Sequence, residues 1–343
     1  MNSLDVVGMT SIRVDGNESV YDIGLYLQSW TGTNNAMDIE VDNITFNGSL
    51  LINSHSTNKN VKTTISKVMA PSGYINIYNS SRGISISETT VNSNYGTGIY
   101  ARSTSGTIKI LKSTIKSNLR AGGLMLDGPS EVTDVELINI MDSSPLGRMM
   151  YVNGPATFLR CKFIHDASME RKEPTSSTLE YRYLQMFNIS TTELVKFEDC
   201  DFENLVSSAS KDTYIFSRWA SVASNGDDSV GYLTNIELKN SRFTFKQGER
   251  VGLYAGYDGN VTNVGIRPDV LLVDNVTITN NGSAQPLFWF YGGSTGITFR
   301  FKPNTRYKAP GAGFVTLTTQ QAIHGLGPGV VKLDDNAKVT IVP

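Results

Sequence analysis

The sequence predicts an all-β fold, a single-stranded right-handed parallel β-helix of about 8–10 rungs with a C-terminal β cap. Three observations predict it. A short pattern of apolar and polar slots recurs eight times in one phase. The chain is rich in Ser, Thr, Asn and Gly and poor in the Ala/Glu/Leu/Lys mixture of helices, which favours strands and turns. No convincing amphipathic helix occurs along it.

Counting from an apolar residue at slot zero, the informative positions are slots two, four, five and seven. Ile39, Val41, Asn43, Ile44 and Phe46 define the pattern. It returns as Ile84, Ile86, Glu88, Thr89, Val91, as Ile108, Ile110, Lys112, Ser113, Ile115, and as Val135, Leu137, Asn139, Ile140, Asp142. Then come Ala156, Phe158, Arg160, Cys161, Phe163, and Val195, Phe197, Asp199, Cys200, Phe202. The last two are Ile236, Leu238, Asn240, Ser241, Phe243, and Leu271, Val273, Asn275, Val276, Ile278. Side chains alternate along a strand, so slots zero and two share a face, as do five and seven. Parity shifts between the two pairs, and both face inward only if slot four bends the chain. Asn fills that slot in four repeats on this reading and tolerates the left-handed conformation a one-residue bend needs. Stacked asparagines would form an amide ladder. A β-sandwich would show simple alternation and hairpin turns instead.

A third strand follows each corner: Gly98–Ala101, Gly123–Leu126, Met149–Val152, Leu184–Phe187, Gly252–Ala255 and Leu287–Phe290. The interval between Ile39 and Ile84 leaves room for another coil near Ile75–Ile77. The expected organisation is an N-terminal cap or connector over 1–35, the helix over 36–301, and a strand-rich C-terminal cap over 302–343. Towards the C-terminal end Thr298–Phe301, Phe314–Leu317 and Lys338–Ile341 read as strands outside the register that cover the open last rung.

Composition narrows the function classes. With 30 Lys+Arg against 32 Asp+Glu, the charge balance argues against a nucleic-acid groove or a polybasic membrane patch. No apolar run is long enough to insert in a membrane, and the first residues lack a signal-peptide pattern. Two cysteines are no disulfide framework. Cys161 and Cys200 share slot five of adjacent rungs, where a disulfide is sterically possible. Free thiols stacked in the interior are preferred, and no further ligand shares the slot for zinc. No metal or other cofactor is implied. Eight Asn-x-Ser/Thr sequons occur, but two of their asparagines occupy the ladder, so they reflect composition.

Three groups of residues are candidates for chemistry. Lys162, Asp201 and Arg242 occupy outward slot six of consecutive rungs, with Glu203 two residues on. A charge ladder is the ordinary reading. Asp201 and Glu203, joined by Asp166 beside His165, are the candidates for general acid and base on a glycosidic bond. The outward positions of the third strand give Tyr100, Met125, Tyr151, then Phe187 or Phe216, then Tyr254 and Trp289. Such a row is a sugar-stacking platform, a subunit interface or core. Two polar excursions, 166–180 and 222–232, are flanked by Tyr181-Arg182-Tyr183 and Arg218-Trp219, and Arg beside aromatics suits an acidic sugar. The carbohydrate-binding set is therefore Tyr151, Tyr181, Arg182, Tyr183, Trp219, Tyr254 and Trp289.

The repeated two-strand corner resembles the pectin-lyase-like superfamily of right-handed β-helices over roughly Ile39 to Phe301. The likeness is architectural. That superfamily includes pectate lyases, polygalacturonases and the trimeric tailspikes and appendages of bacteriophages. The polygalacturonase signatures Asn-Thr-Asp, Gly-His-Gly and Arg-Ile-Lys are missing, and Asp227-Asp228 and Asp334-Asp335 fall in expected loops. Arg267-Pro268 lacks the pectate-lyase pattern, so no catalytic residue carries over. The irregular rungs look most like a phage tailspike. The resemblance implies a homotrimeric virion tail protein, in contact with other tail proteins, that binds a bacterial surface polysaccharide with or without cleaving it as a depolymerase. The alternatives are a secreted polysaccharide lyase or glycoside hydrolase, and a non-enzymatic appendage or adhesin.

Overall fold

A computed structural model describes residues 2–6, 11–22, 24–29, 36–54, 60–93, 97–117, 123–139, 150–165, 184–189, 191–204, 213–220, 233–245, 251–258, 270–281, 287–290, 295–318, 330–333 and 338–342. Among them the regular structure is all strand, in a 12-stranded and a 21-stranded sheet. Every pairing is parallel except the hairpin of Arg306–Lys308 with Phe314–Thr316. The partner of each strand is the equivalent strand of the next repeat, an arrangement consistent with a β-helix-like solenoid. One ladder of slot-zero residues runs Ile12, Ile39, Thr63, Ile84, Ile108, Ser130, Ala156, Val195, Ile236, Leu271, Phe299, Ile341.

That ladder corrects three details of the repeat. The hidden coil is Val61–Ala70, with Thr63 at slot zero, and Ile75–Tyr78 is its third strand. In the fourth repeat slot zero is Ser130 and the corner is Asp134, so Val135 and Leu137 are slots five and seven rather than zero and two. Both slips have one cause, a hydroxyl residue at an inward slot. Thr63 Oγ1 lies 2.6 Å from Ser80 Oγ, and Ser130 Oγ donates to the Gly128 carbonyl at 2.8 Å, so each is buried at little cost. Third, Thr295–Phe301 and Lys338–Val342 extend the same ladder instead of lying outside its register. The pairing also runs upstream of residue 36, through Ser11–Tyr21.

The corner is as the parity argument requires. In nine successive coils slot four has φ of 48–55°: Asn43, Lys67, Glu88, Lys112, Asp134, Arg160, Asp199, Asn240 and Asn275. Only three of these are Asn. Most L-residues pay about 1–2 kcal/mol in this region, and hydrogen bonds in both directions hold them there. The slot-four N–H donates to the next coil, as Lys112 to the Thr133 carbonyl and Asp199 to that of Lys239. Slot six donates to the previous coil, as Thr114 to Thr89 and Arg242 to Cys200. An amide ladder forms locally, where Asn275 Nδ2 donates to Asn240 Oδ1 at 2.8 Å and Asn304 Oδ1 accepts the Asn275 N–H.

Slots zero, two, five and seven and alternate residues of the third strands fill one continuous core. Upstream it is mostly Ile, Val and Leu. From Phe158 to Phe245 it becomes aromatic, with rings stacked coil on coil: Phe158 on Phe197 at 4.8 Å, Phe202 on Phe243 at 4.3 Å and Phe187 on Phe216 at 5.2 Å between centroids.

Candidate functional site

The 12-stranded sheet is built from the third strands. In Leu50–Ser54, Ile75–Tyr78, Ile99–Arg102, Leu124–Asp127 and Met150–Asn153, one set of alternate residues is buried: Leu50 and Ile52, Ile75 and Ile77, Ile99 and Ala101, Leu124 and Leu126, Met150 and Val152. Alternation sends the other set outward, in two columns. The first column is Leu51, Asn76, Tyr100, Met125, Tyr151 in direct register. The second holds Asn53 opposite Tyr78, and Arg102 in line with Asp127 and Asn153. After two of these strands the chain turns at Gly128 and Gly154, with φ of +134° and +137°. A Cβ on Gly154 would meet the Gly128 backbone at 2.8 Å, so neither turn has room for a side chain.

Although outward, most of these side chains are half-buried because they cover one another. The Tyr78 and Tyr100 rings lie 5.0 Å apart, Asn76 Nδ2 donates to the Tyr78 hydroxyl at 3.3 Å, and the Thr97 hydroxyl donates to Met125 Sδ at 3.4 Å. Arg102 Nε sits 3.2 Å from Asp127 Oδ2, while Asn153 Nδ2 donates to Asp127 Oδ1 at 2.9 Å. The pKa of the Tyr100 hydroxyl is raised chiefly by burial and then by the Asp127 charge. The result is a strip of apolar ring faces beside a fixed row of hydrogen-bonding groups.

The expected aromatic row holds for Tyr100, Met125 and Tyr151 and then breaks. Tyr151 is opposite Asn188, and Phe187 and Phe216 are fully buried inside. Tyr254 is a correction: its register partners are Phe216 and Phe288, so it occupies the column of buried residues, one position from the outward one. Read from the sequence, the four-residue motif Gly252–Ala255 starts one residue early, because alternation alone carries no landmark for phase. Trp289 pairs with Ala255 and Lys332 in the continuation of the outward column, but Asn188, Ser217 and Ala255 separate it from Tyr151. Trp219 lies in Thr213–Ala220 of the same sheet, opposite Tyr257. Tyr181, Arg182, Tyr183 and Asp166 lie outside the described residues.

The carboxylate candidates stand on the other sheet. Lys162, Asp201 and Arg242 are in register as expected. Arg242 grips both oxygens of Asp201 at 2.6 Å, and Lys162 reaches past Asp201 to Glu203 at 3.3 Å. This is an ion-pair ladder, and it does not meet the aromatic strip, since the strip and the ladder belong to different sheets. Cys161 and Cys200 are free, buried thiols, and the Cys161 side chain and burial push the Cys200 thiol far above the usual thiol range. Both face the core, out of reach of a ligand in solution.

Sequence reasoning missed Tyr78, Arg102, Asp127 and Asn153. Each lies two residues beyond a residue of the first column, so the same alternation points to them. Compared with protein-family models and with curated proteins, the chain finds no match in either.

Proposed function

We propose that this chain is a right-handed parallel β-helix of the pectin-lyase-like type, and that it acts as a tailspike-like receptor-binding protein whose strip holds a bacterial surface polysaccharide. The observation that carries the binding reading is the juxtaposition of Tyr78, Tyr100, Met125 and Tyr151 with Arg102, Asp127 and Asn153. Sugars present apolar C–H faces to rings and hydroxyls to paired donors and acceptors, and the strip offers both together. Coils stack at roughly 4.8 Å, close to the length of one pyranose, so a glycan lying across the strands meets a new side chain at each sugar. The phage setting, the homotrimer, the contacts with other tail proteins and action at the cell surface rest on the architectural resemblance.

The test is glycan binding by the full chain, followed by calorimetry with Tyr100→Ala and Tyr151→Ala. Each substitution is expected to weaken binding about tenfold or more, the loss of one ring contact in a shared platform. A chain that binds no surface polysaccharide, or alanine variants that bind as well as the parent, would sink the reading. Release of reducing ends or of an unsaturated product in the same incubation decides whether binding is followed by cleavage, and Asp201→Asn and Glu203→Gln then decide whether the ladder takes part.

A further inference from the structure

The charges of the strip are arranged in a way that bears on which glycans it accepts. Between Leu50–Ser54 and Met150–Asn153 the outward residues of the two columns are Leu51, Asn53, Asn76, Tyr78, Tyr100, Arg102, Met125, Asp127, Tyr151 and Asn153. Among them there is one cation and one anion, and they are in contact at 3.2 Å. Arg102 is committed to Asp127. Asp127 is committed twice, to Arg102 and to the Asn153 amide. Beyond its turns lie two further ion pairs, Arg82 with Asp38 at 2.7 Å and Lys109 with Glu131 at 3.0 Å.

We infer that this strip selects uncharged glycans over acidic ones. The inference rests on the polysaccharide reading above and reverses the expectation, drawn from Arg182 and Arg218, that the sugar is acidic. A uronate or sialate carboxylate approaching Arg102 must displace Asp127 from it. The displaced carboxylate stays on the same face, half-covered by its neighbours, as a like charge beside the ligand. An uncharged sugar displaces nothing. Its hydroxyls take the remaining guanidinium N–H groups as donors and the Asp127 and Asn153 oxygens as acceptors, while its C–H faces lie on Tyr100 and Tyr151.

The experiment is a panel of bacterial surface polysaccharides, half uncharged and half carrying uronic or sialic acids, presented to the full chain at low and at physiological salt. Uncharged members should dominate the binders, with affinities unchanged within about twofold between the two salt conditions, since no net charge is being paired. Asp127→Asn keeps the shape of the side chain and its contact with Asn153 but leaves Arg102 unopposed. It should raise the affinity for acidic members relative to uncharged ones by about tenfold. Binders that are mainly acidic and weaken steeply with salt would overturn this inference while leaving the strip as a glycan platform, and an unchanged preference in Asp127→Asn would overturn it too. If no member of the panel binds, the polysaccharide reading itself fails and takes the selectivity with it.

Discussion

In five of the nine coils the residue that follows the left-handed corner is Thr89, Ser113, Cys161, Cys200 or Ser241, with a hydrogen-bonding task that its burial conceals. Its hydroxyl or thiol donates to the carbonyl two residues back: Thr89 to Ser87, Ser113 to Leu111 and Ser241 to Lys239 at 2.8–2.9 Å, and Cys200 to Glu198 at 3.3 Å. It also accepts a backbone N–H from the same slot of the preceding coil. Ser113 Oγ takes that of Thr89 at 3.2 Å, and Ser241 Oγ that of Cys200 at 3.1 Å. Leaving a buried N–H unmet costs about 1–3 kcal/mol, so Ser241→Ala should lower the denaturation midpoint correspondingly, while Ser241→Cys should lose less. An unchanged midpoint in Ser241→Ala would show that the bond is dispensable. The period of the sequence locates this slot but reads its Ser and Cys only as small fillers. The bonds depend on the corner's φ, which the ladder imposes on Lys112 and Arg160 as readily as on Asn43.

Strand by strand, the aromatic segment of the core is the part most sensitive to substitution. Phe202 stacks on Phe163 at 4.9 Å and on Phe243 at 4.3 Å, and it meets Phe187 and Phe197 edge-on. Removing it opens a cavity that three coils line. Phe202→Ala should cost about 3–5 kcal/mol by thermal or denaturant unfolding, and Phe202→Leu much less; equal small losses would mean that the coils collapse into the gap. The strands flanking the corner were legible because a parity shift marks their phase. The third strands have no such mark, which is why Tyr254 fell one residue out and the row beyond Tyr151 was overread. Within the site, the rings stood out as outward aromatics on strands that otherwise bury them. Arg102, Asp127 and Asn153 matter only as a connected set, and their connection exists across coils, not along the chain.

For the whole molecule, each coil touches chiefly the one before and the one after, so stability accumulates from neighbour to neighbour. Such a molecule tolerates change in some directions and not in others. A short Gly/Ser segment inserted between the exposed Thr104 and Ser105 leaves every paired strand in place and should shift the melting temperature little, because loop closure grows slowly with length. One alanine inserted between Lys112 and Ser113 turns Ile115 and Ser117 out to solvent and should prevent folding, read as loss of cooperative melting and as aggregation.

The first coil shows how a corner lengthens all the same. Asp15 and Ser19 stand opposite Asp42 and Ile44, four residues apart against two, with Asn17 and Glu18 both at positive φ. Two extra residues preserve facing where one would invert it. Growth at this joint is therefore quantised: the corner accepts residues in pairs, while the turn after the third strand is not so bound, with five residues between Arg102 and Ile108 and two between Asp127 and Ser130. A lineage of such molecules would diverge by lengthening that turn, next to the strip, and leave the corner countable.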